Sequence, residues 1–253
     1  MKRFRLISTL IMAAALAMAV IPAGGVLAVS AGPVTSAVNL NPNPATINTS
    51  VTVTATVDDT TAANVNIQSA EFSVNGGAWT AMTASDGTFD SPTENVTATF
   101  PATSAGTYNV CVRGTDVSSN VGDPVCAPLT VQYLYAFTGF SAPIKMGGAN
   151  KANAPQTIPV KWKLSLTSNG AAVNAPASFV ALKSYAVDCT TLAGDISTAV
   201  VEKGPGKTGL KSLGKGKWQF NWKTPKTYRS TCRMMFVLFS DGLMSPQVLF
   251  RFK

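Results

Sequence analysis

The 253-residue chain contains no histidine. That removes Ser-His-Asp and Cys-His nucleophilic systems and every zinc or iron site built on imidazole. Charged residues make up only 13% of the chain. After the N-terminal segment no apolar run is long enough for a span of about 20 residues, so no membrane span is expected in the mature chain. In residues 33–132 no ten-residue stretch shows helical periodicity. Cysteine is sparse too: the four stand as two local pairs, Cys111/Cys126 and Cys189/Cys232, with no short C-x-x-C element of the kind a four-cysteine zinc site uses. In an exported chain such pairs read as two disulfides.

What is present favours strands and turns. Thr, Ser, Asn, Gly and Val are abundant, and the expectation is an all-β protein. At the N-terminus, Lys2, Arg3 and Arg5 precede the apolar run Leu6 to Ile21, which Pro22, Gly24 and Gly25 end. Val26 and Ala28 fit a cleavage site, and cleavage after Ala31 fits as well. Residues 1–28 are therefore expected to be a secretory signal peptide, with no cysteine nearby to carry a lipid. Residues 29–45, rich in Pro, Asn, Ser and Thr, read as a linker. The remainder suits two β-sandwiches of about 100 residues each, 46–132 and 133–253.

Charge divides the two halves. Residues 29–132 hold one basic residue, Arg113, against eight acids, whereas residues 133–253 hold sixteen Lys and Arg against four acids. Opposite halves of this kind suggest different partners or an intramolecular dock.

In the acidic half, Val51, Val53, Ala55 and Val57 alternate with polar residues, and Asn75-Gly76-Gly77 is a hairpin signal. Tyr108, Val110 and Val112 are expected inward, as are Val125, Ala127 and Leu129. That places Cys111 and Cys126 outward on one face of a hairpin. A staple across that loop contributes about 3 kcal/mol in the chain-entropy model. Asp86, Asp90 and Glu94 form a local acid cluster that offers oxygen ligands for calcium. Turn chemistry, or pairing with Arg113, is the other reading, because Asp86-Gly87 is an ordinary turn pair. The same three acids are the only local candidates for a two-carboxylate glycoside hydrolase, a chemistry that needs no histidine. Asp116 and Asn120 are expected to shape the hairpin loop. The segments AEFSVNGGAW (70–79), DGTFD (86–90) and AGTYNVCVRGTDVSSNVG (105–122) resemble the bacterial and archaeal extracellular Ig-like domains. That resemblance implies a spacer or adhesive module and no reaction.

The basic half is organised around IPVKWKLSL (158–166), where Ile158, Val160, Trp162, Leu164 and Leu166 alternate with Lys161, Lys163 and Ser165. Trp218, Phe220 and Trp222 alternate with Gln219, Asn221 and Lys223. The indoles read as core, with a sugar-stacking platform as the rival. Residues 234–239 are apolar at both parities and suit a central strand. Tyr135-Ala-Phe-Thr-Gly-Phe140, Pro143, Asn150-Lys151-Ala152, Ile158-Pro-Val-Lys-Trp-Lys-Leu164, Cys189, Trp222-Lys-Thr224, Thr231-Cys-Arg233, Asp241-Gly242 and Phe250-Arg-Phe252 stand in the order of the PxKF domain, which this half resembles. Trp162 stands where that pattern usually has Phe, and Asn153 where it often has Gly. The resemblance implies a β-sandwich accessory module and no ligand.

Lys203, Lys207, Lys211, Lys215 and Lys217 are interleaved with glycines, too many for a helix, so strands and loops displaying amines are expected. They read either as a solvated, aggregation-resistant edge or as contacts for an anionic envelope polymer or polysaccharide. No nucleic-acid reader motif is present. No cofactor, metal site or catalytic residue is assigned. The functional expectation is a secreted or cell-surface module for adhesion, envelope binding or spacing. The alternatives are the carboxylate hydrolase and an accessory remnant of a larger secreted enzyme.

Overall fold

A computed structural model describes residues 31–206 and 209–253; the expected signal peptide and Lys207 lie outside the described residues. Among those residues the chain is strand, turn and loop, with three single-turn 3-10 helices. It is all-β, a pair of β-sandwiches in tandem.

The first sandwich uses β1 (Val34–Asn41), β2 (Ala45–Thr46), β3 (Thr49–Asp58), β4 (Ile67–Val74), β5 (Thr80–Ala81), β6 (Thr83–Ala84), β7 (Thr93–Ala102), β8 (Gly106–Asp116) and β9 (Val125–Gln132). One sheet runs β1-β3-β7-β6 and the other β2-β9-β8-β4-β5. Their inner faces meet in a core that includes Val51, Val53, Val57, Val96, Val110, Val112 and Leu129. Phe72 and Phe100 bridge the layers with ring centroids 5.5 Å apart. The alternation of Val51 to Val57 is what produces this face: one side of β3 is dry and its threonines face out.

Part of the segment read as a linker, 29–45, is not one. Val34–Asn41 pairs along β3, and Ala45–Thr46 adds a short parallel strand beside β9. The register shifts between Ser36 and Asn39, with Ala37 at φ +52°. This bulge moves the buried parity from Thr35 to Leu40, so no unbroken alternation marks the strand. Val125, expected inside, is 38% exposed at the start of β9. Cys111 and Cys126 are direct cross-strand partners and are bonded, on the outer face as expected.

The second sandwich uses β10 (Tyr135–Ser141), β11 (Asn150–Ala152), β12 (Thr157–Leu166), β13 (Phe179–Val187), β14 (Val200–Val201), β15 (Leu210–Gly214), β16 (Lys217–Lys223), β17 (Cys232–Phe239) and β18 (Val248–Phe252). The sheets are β10-β12-β16-β15 and β11-β18-β17-β13-β14. β17 lies in the middle of its sheet, as its two apolar faces require. Ile158 faces Trp222, Val160 faces Phe220 and Trp162 faces Trp218. All six are buried. Trp162 reaches Phe179 and Phe239 of the opposite sheet, and Trp222 packs edge-on to Phe250 and Phe252. The indoles are therefore interior, each contributing about 1.5–3 kcal/mol or more by burial alone, and not a sugar platform. The Cys189–Cys232 bond ties the start of β17 to the loop after β13.

The three indoles differ at their N–H groups. Trp218 Nε1 donates to the Val173 carbonyl at 2.8 Å and Trp222 Nε1 to Glu202 Oε2 at 2.8 Å, while Trp162 Nε1 is buried with no partner. Trp162→Phe removes an unsatisfied donor along with some volume and is expected to change stability by no more than about 1 kcal/mol. Trp222→Phe leaves a buried carboxylate oxygen without its donor and should cost about 2–3 kcal/mol more. Denaturant unfolding of the two variants checks this; equal losses would refute the assignment.

Candidate functional site

The parity that buries Trp162, Trp218 and Trp222 sends their neighbours to water. Lys161 and Lys163 of β12 and Lys217, Gln219, Asn221 and Lys223 of β16 share the outer face of the sheet β10-β12-β16-β15. The register brings charges together. Lys163 lies directly opposite Lys217, and Lys161, Gln219 and Lys211 form one row across three strands. With strands about 4.8 Å apart and same-face residues about 6.7 Å apart along each strand, these amines occupy a flat grid. Like charges directly opposite one another are locally unfavourable, so the Lys163–Lys217 pair does not stabilise the sheet. Among the described residues the one ion pair is Arg113–Glu71, on the first sandwich, so the grid is not neutralised internally.

Of the five lysines singled out by spacing, Lys211 and Lys217 are on this grid, and Lys215 sits in the turn joining β15 to β16. Lys203 is in the loop after β14, where its carbonyl accepts from the Lys223 N–H at 2.8 Å. The spacing missed Lys161, Lys163 and Lys223. Their outward parity was visible, but the pairing of β12 with β16 that sets them beside Lys211 and Lys217 was not.

Beside Lys203 and Lys223 lies a pocket of about 270 Å³, completed by Val201, Glu202, Pro225 and Tyr228. Its floor is a buried polar network that no motif announced. Glu202 accepts from Ser184 Oγ, from Tyr228 Oη at 2.9 Å and from Trp222 Nε1 at 2.8 Å. Arg233 Nε donates to Ser184 Oγ at 2.7 Å, and its guanidinium lies 4.0 Å over the Tyr228 ring. Ser184, Glu202 and Arg233 are all buried, both Glu202 oxygens accept hydrogen bonds and Arg233 donates through Nε and Nη2, and such pairing lets a charged network hold in an apolar setting. In sequence, Glu202-Lys203 reads as an ordinary surface pair.

The acid cluster proves to be a turn closed by its own carboxylates. Asp86 accepts from the Thr88 N–H at 3.2 Å and Asp90 from Thr88 Oγ1 at 3.1 Å. Glu94 is buried and accepts from the Asp90 and Ser91 N–H groups at 3.0 and 2.9 Å. Among the described residues no three acidic or cysteine side chains are grouped to hold a metal ion. Arg113 does not pair with this turn; it binds Glu71 at 3.0 Å and stacks 4.0 Å over Trp79. Asp116 does shape its loop, accepting from the N–H groups of Ser118 and Asn120 and from Asn120 Nδ2, each at 2.8 Å.

The sequence matches no family model and no curated protein. Solved structures supply the similarities. A PKD domain of an M14-like peptidase from the Thermoplasmatales archaeon SCGC AB-540-F20 is 17% identical, covering 40% of this chain and 97% of that one, at a TM-score of 0.31. The fibronectin(III)-like modules of Clostridium thermocellum CbhA are 12% identical, covering 85% and 93%, at 0.28. The FN1-FN3 domains of chicken CNTN1 are 11% identical, covering 88% and 66%, at 0.33. Scores this low carry no argument about activity or ligand, and the sandwich assignment rests on the sheets themselves.

Burial pushes the Tyr228 hydroxyl above its ordinary pKa, and the neighbouring Glu202 carboxylate pushes it the same way. The folded protein therefore disfavours tyrosinate. The stabilisation is complete below the unfolded pKa of about 10 and is lost as the pH rises through the higher folded value. Tyr228→Phe should flatten that alkaline decline relative to the parent chain. Unfolding followed between pH 8 and 11.5 tests it, and identical slopes would count against the coupling.

Proposed function

We propose that this chain is an exported, non-catalytic β-sandwich module held on an anionic polymer of the cell envelope by its lysine grid. The observation that carries the reading is the outer face of β12, β16 and β15, where Lys161, Lys163, Lys211, Lys217 and Lys223 stand together without an acid. A flat cationic face attracts a polymer whose negative charges repeat along its length, and does so through many weak contacts. The two disulfides agree with an oxidising compartment, and the signal-peptide pattern of residues 1–28 supports export. No helix of the described residues is long and apolar enough to cross a membrane. The PxKF-like and Ig-like sequence patterns favour the same class of accessory module. The absence of histidine and the hydrogen-bonded state of Asp86, Asp90 and Glu94 favour a binding role over hydrolysis.

Retention of the protein on an anionic wall polymer should fall steeply between 50 and 300 mM salt, values chosen around a Debye length of about 8–10 Å. Replacing Lys161, Lys163, Lys211 and Lys217 together by Gln should weaken binding at low salt by at least about tenfold, with stability unchanged or slightly raised because the Lys163–Lys217 repulsion is gone. Elution that ignores ionic strength, or a variant that binds like the parent, would sink the mechanism.

A further inference from the structure

The first sandwich carries a second polar site, in its interior, at the end where β3 and β8 finish and β1 and β7 begin. Thr35, Val57 and Glu94 form one row across the sheet, Thr35 opposite Val57 and Val57 opposite Glu94. Val57 points at the opposing sheet: its Cγ1 would lie 2.1 Å from a Cβ placed on Gly114. Two residues further along the same inner faces stand Asp59 and Asp116. Thr35, Asp59, Glu94 and Asp116 are between 0% and 3% exposed.

Their oxygens are not equally satisfied. Asp116 accepts three hydrogen bonds and Glu94 two, all from their own loops. Asp59 Oδ2 accepts from the Val65 N–H at 2.9 Å. Asp59 Oδ1 and Thr35 Oγ1 have no partner. Among the described residues three buried side-chain polar atoms are unpartnered, and two of them are in this corner. No lysine or arginine of this sandwich is buried; its one basic residue, Arg113, is spent on Glu71. Three buried carboxylates thus stand at this end of the sandwich with no buried cationic side chain to meet them. A trapped water could satisfy the two free oxygens but would leave the charge uncompensated.

We propose that Asp59 Oδ1 and Thr35 Oγ1 are ligands of a hard divalent cation of the calcium class, seated in this corner. A carboxylate and a hydroxyl are hard oxygen donors, and calcium accepts six to eight such ligands in flexible geometry. Since no three acids are grouped closely enough to share an ion, backbone carbonyls and water complete the shell. The two proposed ligands are not residues of the Asp86–Glu94 turn, in which Asp86 and Asp90 each accept from Thr88 and Glu94 accepts from the Asp90 and Ser91 N–H groups. Bound there, the ion would lock the entry of β1 and the loop after β3 onto the sandwich.

The test is calcium binding by calorimetry on the full chain after chelator treatment, with thermal unfolding in parallel. One saturable calcium per chain is expected, with the melting temperature raised by about 5–10 °C at a hundredfold excess over Kd. Asp59→Asn and Thr35→Val should weaken binding by tenfold or more and remove that rise. Asp86→Asn should retain both. Should Asp59→Asn fail to fold, the decision falls to Thr35→Val, a near-isosteric change. Absence of saturable binding to the parent chain at millimolar calcium overturns the proposal. So does binding that survives Thr35→Val but is lost in Asp86→Asn, and so does a site filled by water alone in a crystal grown with calcium.

Discussion

The pairing of β12 with β16 is the contact on which the second sandwich turns. Trp162 opposite Trp218, with Ile158 opposite Trp222, fills the space between the sheets with indole and leaves no freedom in register. A slip of one residue would bring the indoles to water and the lysines into the core. The same register that buries the aromatics therefore lines up the amines outside. Core and binding face are two sides of one register, and a slip in it would disrupt both at once.

The two sandwiches handle buried polarity differently. In the second, Glu202 and Arg233 are joined through Ser184 and Tyr228, so opposite charges share one hydrogen-bonded network. In the first, Asp59, Glu94 and Asp116 are buried without any cationic side chain beside them. Buried charge is tolerated when it is paired and hydrogen-bonded. The second sandwich meets that condition from its own residues, and the first leaves a role for an ion from outside. The −/+ division of the sequence into acidic and basic halves thus has a structural counterpart inside the domains as well as on their surfaces.

Several features were legible in the residues because they depend on period two alone. The inward faces of β3, β8, β12 and β16 follow from alternation, and so does the outward placement of Cys111 and Cys126. β1 was not legible. Its bulge between Ser36 and Asn39 breaks the alternation, and its asparagines with the flanking Pro33, Pro42 and Pro44 imitate a linker. Thr35, on that strand, was hidden with it. The lysines were noticed by spacing along the chain, whereas the grid is built by pairing across strands, so Lys161, Lys163 and Lys223 were not grouped with Lys211 and Lys217.

By itself the sequence determined that the chain forms sheets, which cysteines can bond, that imidazole chemistry is absent and that charge is split between the halves. These are properties of composition and of neighbours two residues apart. Tertiary structure alone decided which lysines share a face, that Glu202 meets Trp222 and Tyr228, and that Asp59 and Thr35 end in one corner without partners. Those relations join residues tens of positions apart. They depend on strand order and register, which arise from packing two layers together and leave no local trace.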